Sequence, residues 1–334
     1  MKEEKTKWLI FASFIVFVFS LIYIWQGIYL PKEPNYSGKI LFLVNKGEGL
    51  KQIANNLKKE GLIKSALLFR IYAAGRNSAG RLQAGTYKLS PSMNFPEILR
   101  KFVSGESEKI KITIPEGYTK DQIVELFSKN GVDTEDLLKL KIGDFQEEFD
   151  FLKDAPKNVS LEGFLFPDTY FFELNPSEKE IAETLLKNFD RKLTFNLREA
   201  IRSQKKTIFE VVVMASLVEK EVKSFKDKKL VSGILWKRLE NSIPLQVDAT
   251  ITFLTGKKTT KISKKETQID SPFNTYKYKG LPPTPICNPG LESIEAAVYP
   301  KDSGYWYYLS TADGKTIFSK TLKDHNIAKE GLKK

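Results

Sequence analysis

Cysteine and histidine are almost missing: the 334-residue chain has one of each, Cys287 and His325. One cysteine excludes an intramolecular disulfide, and one histidine excludes a histidine-rich metal site or two-histidine chemistry. A Ser-His-Asp triad would have to recruit His325, and no G-x-S-x-G accompanies it. Cys287, between Pro285 and Pro289, reads as a small hydrophobe. Zinc-like Cys/His spacing, an RNP-type strand and a basic reader helix are lacking as well. The net charge of +12 therefore does not indicate nucleic acid, and it suits an anionic membrane surface or polymer equally. Nothing calls for a metal or an organic cofactor.

What is there is globular: 41% hydrophobic, 28% charged and 12% aromatic residues. Residues 1–7 form a basic tail before an uncharged stretch, Trp8 to Leu30, long enough as a helix to cross a hydrocarbon core of about 30 Å. Lys2, Lys5 and Lys7 favour an N-terminus inside, and no A-x-A-like cleavage site follows, so a retained single-pass anchor is expected. Residues 31–39, with Pro31 and Pro34, read as a linker.

From Ile40 a strand, a glycine turn and an amphipathic helix follow, with Leu50, Ile53, Ala54 and Leu57 on one face. About seventy residues on, the pattern recurs. Gly47 aligns with Gly117, Ile53 with Ile123, Leu57 with Phe127 and Gly61 with Gly131, which marks a repeated strand-turn-helix unit. Between the copies, Ala66 to Ala74 and Asn94 to Val103 read as helices and Gly85 to Leu89 as a strand. LEGFLFPDTYFF (161–172) reads as a core strand and turn or, through Glu162 and its aromatics, as one wall of a carbohydrate groove. Ile181 to Ser203 reads as one long helix, and Leu230 to Glu240 as another. Glu292 to Val298 and Lys323 to Leu332 read as further helices. Two strands, 306–310 and 316–319, suggest a hairpin turning at Asp313-Gly314.

The stretch that concentrates chemistry is Thr207 to Val222, TIFEVVVMASLVEKEV. As a helix it is apolar nearly all round and ends in Glu219 and Glu221. At i±3 and i±4, Glu219 shares a face with Val212, Ala215, Ser216 and Val222, and Glu221 with Met214, Leu217, Val218 and Phe225. A carboxyl withdrawn from water there has its pKa raised, which is what a general acid needs. The plainer alternative is a solvated helix end, its glutamates paired with Lys220, Lys223, Lys226, Lys228 or Lys229. Beyond it, proline-rich loops present Gln246, Asp248, Asn274, Thr275 and Tyr276, polar groups of the kind that line a binding cleft.

Six separated motifs fall in one order: LEGFLFPDTY, ASLVEKE, QVDAT, NTY, GLPPTPICNPG and FSKTLKDHN. Together they resemble the endolytic murein transglycosylase family (MltG, YceG-like), over nearly the whole chain. The resemblance implies an α+β protein. It has an N-terminal transmembrane helix (8–30), a LysM-like α/β module (40–108), a connector with the second strand-turn-helix unit (109–155), and a mixed α+β catalytic domain (156–334) around a central buried helix. It implies a lyase that cuts peptidoglycan glycan strands outside the cytoplasmic membrane. Glu219, as the first Glu of V-E-K-E, would be the catalytic acid, with Glu221 in support and Glu162, Gln246, Asp248, Asn274, Thr275 and Tyr276 along the groove. The family often has D-P-T where this chain has Asp248-Ala249-Thr250. Peptidoglycan synthases (penicillin-binding proteins) are the expected protein partners. A membrane-tethered glycan-binding scaffold without activity is the alternative.

Overall fold

The computed structural model describes residues 2–257, 262–311 and 314–331. It is a mixed α+β fold that divides into two compact units, Met1–Ile110 with Phe171–Leu174, and Lys111–Tyr170 with Asn175–Lys334.

In the first unit α1 runs Lys2–Tyr29, and within it Glu4–Tyr29 is long and apolar enough to cross a membrane. A small module follows: β1 (Ile40–Val44), α2 (Leu50–Lys59), α3 (Ala66–Gly75), β2 (Gly85–Leu89) and α4 (Phe95–Ser104). Strands β1 and β2 pair antiparallel with Phe42 opposite Tyr87, and both rings enter a core with Ile53, Leu57, Phe69 and Phe102. Asn94 and Glu97 close a capping box at the start of α4, and Gly105 ends it in the left-handed conformation. Residues 31–39 are less a free linker than expected. Lys32 Nζ donates to the Gly61 carbonyl at 2.9 Å and the Glu33 amide to that of Pro91 at 3.0 Å.

The repeated pattern is present as geometry. β3 (Lys109–Thr113), a turn with Gly117 at φ +75° and α5 (Lys120–Lys129) reproduce β1, the turn with Gly47 at φ +80°, and α2, and each helix has ten residues. β3 pairs with β4 (Thr169–Glu173).

The second unit continues through short 3-10 turns at Glu135–Lys139, Ile142–Asp144 and Asp150–Leu152. The strand and turn expected within 161–172 come in the other order: Leu161–Phe166 is buried irregular chain, and the strand starts only after Pro167. The single helix expected at 181–203 is two, α6 (Glu178–Lys192) and α7 (Phe195–Ser203). Thr194 breaks them, its side chain accepting from the Leu197 amide as N-cap of the second. Then come α8 (Ile208–Glu221), α9 (Phe225–Glu240), α10 (Asp248–Thr255), α11 (Leu291–Val298), the antiparallel hairpin β5–β6 (Tyr307–Ser310, Thr316–Ser319) and α12 (Leu322–Gly331). Of the turn expected at Asp313-Gly314, Asp313 lies outside the described residues, as does Leu332 at the end of the last helix.

Helix α8 is the centre of this unit. Thr207 and Glu210 form its capping box, and every residue from Val211 to Val218 is buried. Ser216 is the one polar residue in that run. Its hydroxyl donates to the Val213 carbonyl and accepts from the Ile286 amide, which pins the proline-rich segment along the helix.

Candidate active site

Successive residues of an α-helix are about 100° apart, so Glu219 and Glu221, two positions apart, leave α8 on nearly opposite sides. Their surroundings differ accordingly.

Glu219 faces α9 and the start of α11. Its Oε2 accepts from Ser293 Oγ at 2.6 Å and from the Gly290 amide at 3.0 Å, and Lys228 Nζ lies 3.4–3.5 Å from the two oxygens. The Lys228 side chain is buried, 3% exposed, and that of Glu219 is 9% exposed. Gly290 is the N-cap of α11, so the carboxylate also sits where the helix dipole favours negative charge. Glu116 crowds this corner: a Cβ on Gly290 would lie 2.0 Å from its Oε1. Partial burial and then the Glu219 charge push the Glu116 carboxyl above its ordinary range. Lys220 is drawn off to the Gly117 carbonyl at 2.9 Å.

Glu221 faces the start of α10 and the hairpin. The Tyr308 hydroxyl and the Ala249 amide face it as donors, and the Asp248 charge acts on it. Burial first, and the Asp248 charge second, push its carboxyl up to about 7; the two donors offset part of that rise. The Tyr276 hydroxyl donates to Asp248 Oδ1. Burial raises the phenols of Tyr276 and Tyr308, so both stay protonated donors. Arg238 is buried nearby, 5.0 Å from the Tyr307 ring centroid. It donates through Nη1 to the Leu245 carbonyl and through Nε to that of Trp306, fixing the strand that carries Tyr308 beside the Leu245–Asp248 turn.

The other residues singled out from the sequence divide into those around Glu221 and one that lies apart. Asn274 and Thr275 are buried and hold the backbone. Asn274 Nδ2 donates to the Thr267 and Ile269 carbonyls while its Oδ1 accepts from the Tyr276 amide. Thr275 Oγ1 accepts from the Val247 amide at 3.0 Å and meets Thr250 Oγ1 at 3.1 Å. Between them they set Tyr276 against Asp248. Gln246 is exposed, with φ +56°, a left-handed conformation uncommon for a residue with a Cβ; its amide donates to the Thr275 carbonyl. Glu162 is buried elsewhere in this unit. It accepts from the Lys120 amide at 2.9 Å and from Asn288 Nδ2 at 2.9 Å, and burial pushes its carboxyl up to about 7.

Asn288, quoted in a motif but given no role, uses its whole amide. Oδ1 accepts from Gly163 and Leu165, and Nδ2 donates to Tyr118 and Glu162, stitching three separated loops together. Tyr308, Ser293 and Glu116 had no local signal in the sequence either. Each reaches the site from more than 70 positions away along the chain, and only tertiary packing brings it there.

Residues 42–331 match the model of the YceG-like family. The chain belongs to that family. It is 32% identical over 313 residues to the endolytic murein transglycosylase of Bacillus subtilis (strain 168), covering 90% of this chain and 86% of that one. It is 30% identical over 326 residues to the endolytic murein transglycosylase of Streptococcus pneumoniae (strain R6), 89% of this chain but 59% of that longer protein. The crystal structure of a yceG-like protein from Listeria monocytogenes superposes with a TM-score of 0.60 at 34% identity, covering 87% of this chain and 99% of the other.

Proposed function

We propose that this YceG-like protein is an endolytic murein transglycosylase, a lyase on peptidoglycan glycan strands, and that Glu221 is its proton donor. The observation that carries the assignment is the company Glu221 keeps: a carboxyl pushed up to about 7, beside Asp248 and Tyr276. Glu219 instead has its carboxylate taken up by Lys228, Ser293 and the Gly290 amide. We therefore assign Glu219 to clamping α8 against α9 and α11, and Glu162 to the scaffold around Asn288.

In this reading Glu221 gives its proton to the oxygen linking N-acetylmuramic acid to N-acetylglucosamine, and the C1–O bond breaks. The carboxylate then takes the proton of the muramic acid's own 6-hydroxyl as that oxygen bonds to C1 and closes a 1,6-anhydro ring. One carboxyl serves as acid and then base, so no water-activating partner is needed. Asp248 supplies negative charge for the oxocarbenium-like transition state, held in place by Tyr276. The module between residues 40 and 108 serves as a LysM-like glycan binder, a reading supported by its strand-helix-helix-strand order. α1 anchors the chain in the cytoplasmic membrane with its N-terminus inside and the site outside, beside the synthases that make nascent strands.

The test is product mass. Purified glycan strands cut by the full chain should yield ends lighter by one water than hydrolytic ends. Hydrolytic ends would refute the lyase, and strands bound but left intact would refute catalysis.

A further inference from the structure

Helix α3 carries an apolar face that is exposed among the described residues. Leu67 and Ile71, four positions apart on one side, are 60% and 59% exposed, and Ala74 continues the stripe. Two large aliphatic side chains in register on one helix are unusual for a surface turned to water.

An adjoining side of α3 fixes the depth at which that face lies. Leu68 packs on α1 so closely that a Cβ at Gly27 would sit 2.8 Å from its Cδ1. Tyr72 meets Tyr29 edge-on with ring centroids 6.5 Å apart, and Ile28 packs on the module's core. The bonds from Lys32 to Gly61 and from Glu33 to Pro91 hold the module there. Gly27 is three residues from the end of the uncharged stretch, about 4.5 Å of helix rise. If α1 spans the bilayer, α3 therefore lies at the depth where acyl chains give way to headgroups, with Trp25 and Tyr29 as interfacial aromatics. The sequence that carries it is basic. Between Glu60 and Glu97 the chain has Lys64, Arg70, Arg76 and Arg81, with Lys88 paired to Glu108, and no acid.

We propose that α3 is an interfacial helix, its Leu67–Ile71–Ala74 face seated in the outer surface of the membrane that α1 crosses, with these cations among anionic phospholipid headgroups. Buried apolar area and electrostatic attraction together hold such helices in the interface. The consequence is that the module sits on the bilayer as a fixed platform, and does not swing on a tether. The inference rests on α1 being a membrane span.

The experiment uses the full chain in nanodiscs containing phosphatidylglycerol, with a bimane label on the Ile71→Cys variant or, separately, on Phe14→Cys within α1. Cys287 is buried and stays unlabelled. Brominated acyl chains should quench the label at 71, and its iodide-quenching slope should fall several-fold below that of the free conjugate. Full iodide quenching at 71 without lipid quenching would overturn the proposal. Protection from both quenchers would overturn it too, since a protein partner would then cover the face. A label at 14 that escapes lipid quenching would overturn the anchor and this inference with it; quenching at 14 but not at 71 would leave the anchor standing and remove this inference alone.

Discussion

Glutamine at position 221 should abolish turnover and raise stability together. A carboxyl with a folded-state pKa near 7 and an ordinary value of 4.5 binds its proton more tightly in the folded chain. Its stabilising contribution is fully present below pH 4.5 and is lost as the pH rises through 7. The gap is worth about 3 kcal/mol, the cost of ionising this side chain where it sits. A carboxamide never ionises, so Glu221→Gln should match the parent near pH 4.5 and exceed it at pH 8. Weakened hydrogen bonds to Tyr308 and Ala249 take back part of this, leaving about 1–2 kcal/mol, or about 2–8 °C in melting temperature. Strand cleavage should fall by about 10²–10⁴, the usual share of a general acid. In the parent, cleavage should decline above pH 7 with the slope of one proton. Glu219→Gln should behave in the opposite way. It leaves the buried Lys228 ammonium without its counter-charge, which costs about 3 kcal/mol at neutral pH, and it leaves the pH profile where it was. Melting by circular dichroism at both pH values, with turnover on purified strands, reads all of this. A Glu221→Gln protein that still cuts, or a Glu219→Gln protein that melts normally but does not cut, would return the acid role to Glu219.

Three further changes test the surroundings. Tyr308→Phe removes a donor that favours the Glu221 carboxylate, so the alkaline limb of the rate profile should move to higher pH; a shift to lower pH would contradict the contact. Ala249→Pro removes the other donor at the second position of α10, in the first turn where proline is tolerated, and should shift the limb the same way with little loss of stability. Asn288→Ala strands the Gly163 and Leu165 amides and removes one of two bonds to the Tyr118 carbonyl and one bond to Glu162, and should cost roughly 2–3 kcal/mol, measured as loss of the urea midpoint.

Periodic apolar spacing and glycine positions carried much of the fold. The uncharged run before Leu30, the ten-residue helices behind Gly47 and Gly117, and the buried body of α8 all follow from patterns within a dozen residues. The errors fell where a local pattern has two outcomes. Apolar residues continue across 181–203, but Thr194 offers a side chain to the Leu197 amide and starts a new helix. Pro244 to Thr250 reads as irregular chain, yet from Asp248 the backbone closes a helix because Thr275 and Thr250 hold the entry at Val247.

The two glutamates show why the site was only half legible. Sequence spacing states that residues two apart on a helix diverge, and both flanks of α8 are apolar in projection, so nothing local separates one carboxyl from the other. What separates them lies outside α8, Lys228 nine residues on and the rest far along the chain. Lys228, Ser293 and the Gly290 amide supply one flank with a cation and two donors, which suits a carboxylate held as a structural anion. The other flank receives Asp248 and phenols that remain protonated, so ionisation there adds a second negative charge with only hydrogen bonds to oppose it. Loss of a proton is therefore opposed on that second side. Our assignment of the proton donor to Glu221 rests on that difference in borrowed neighbours, which α8 itself does not encode.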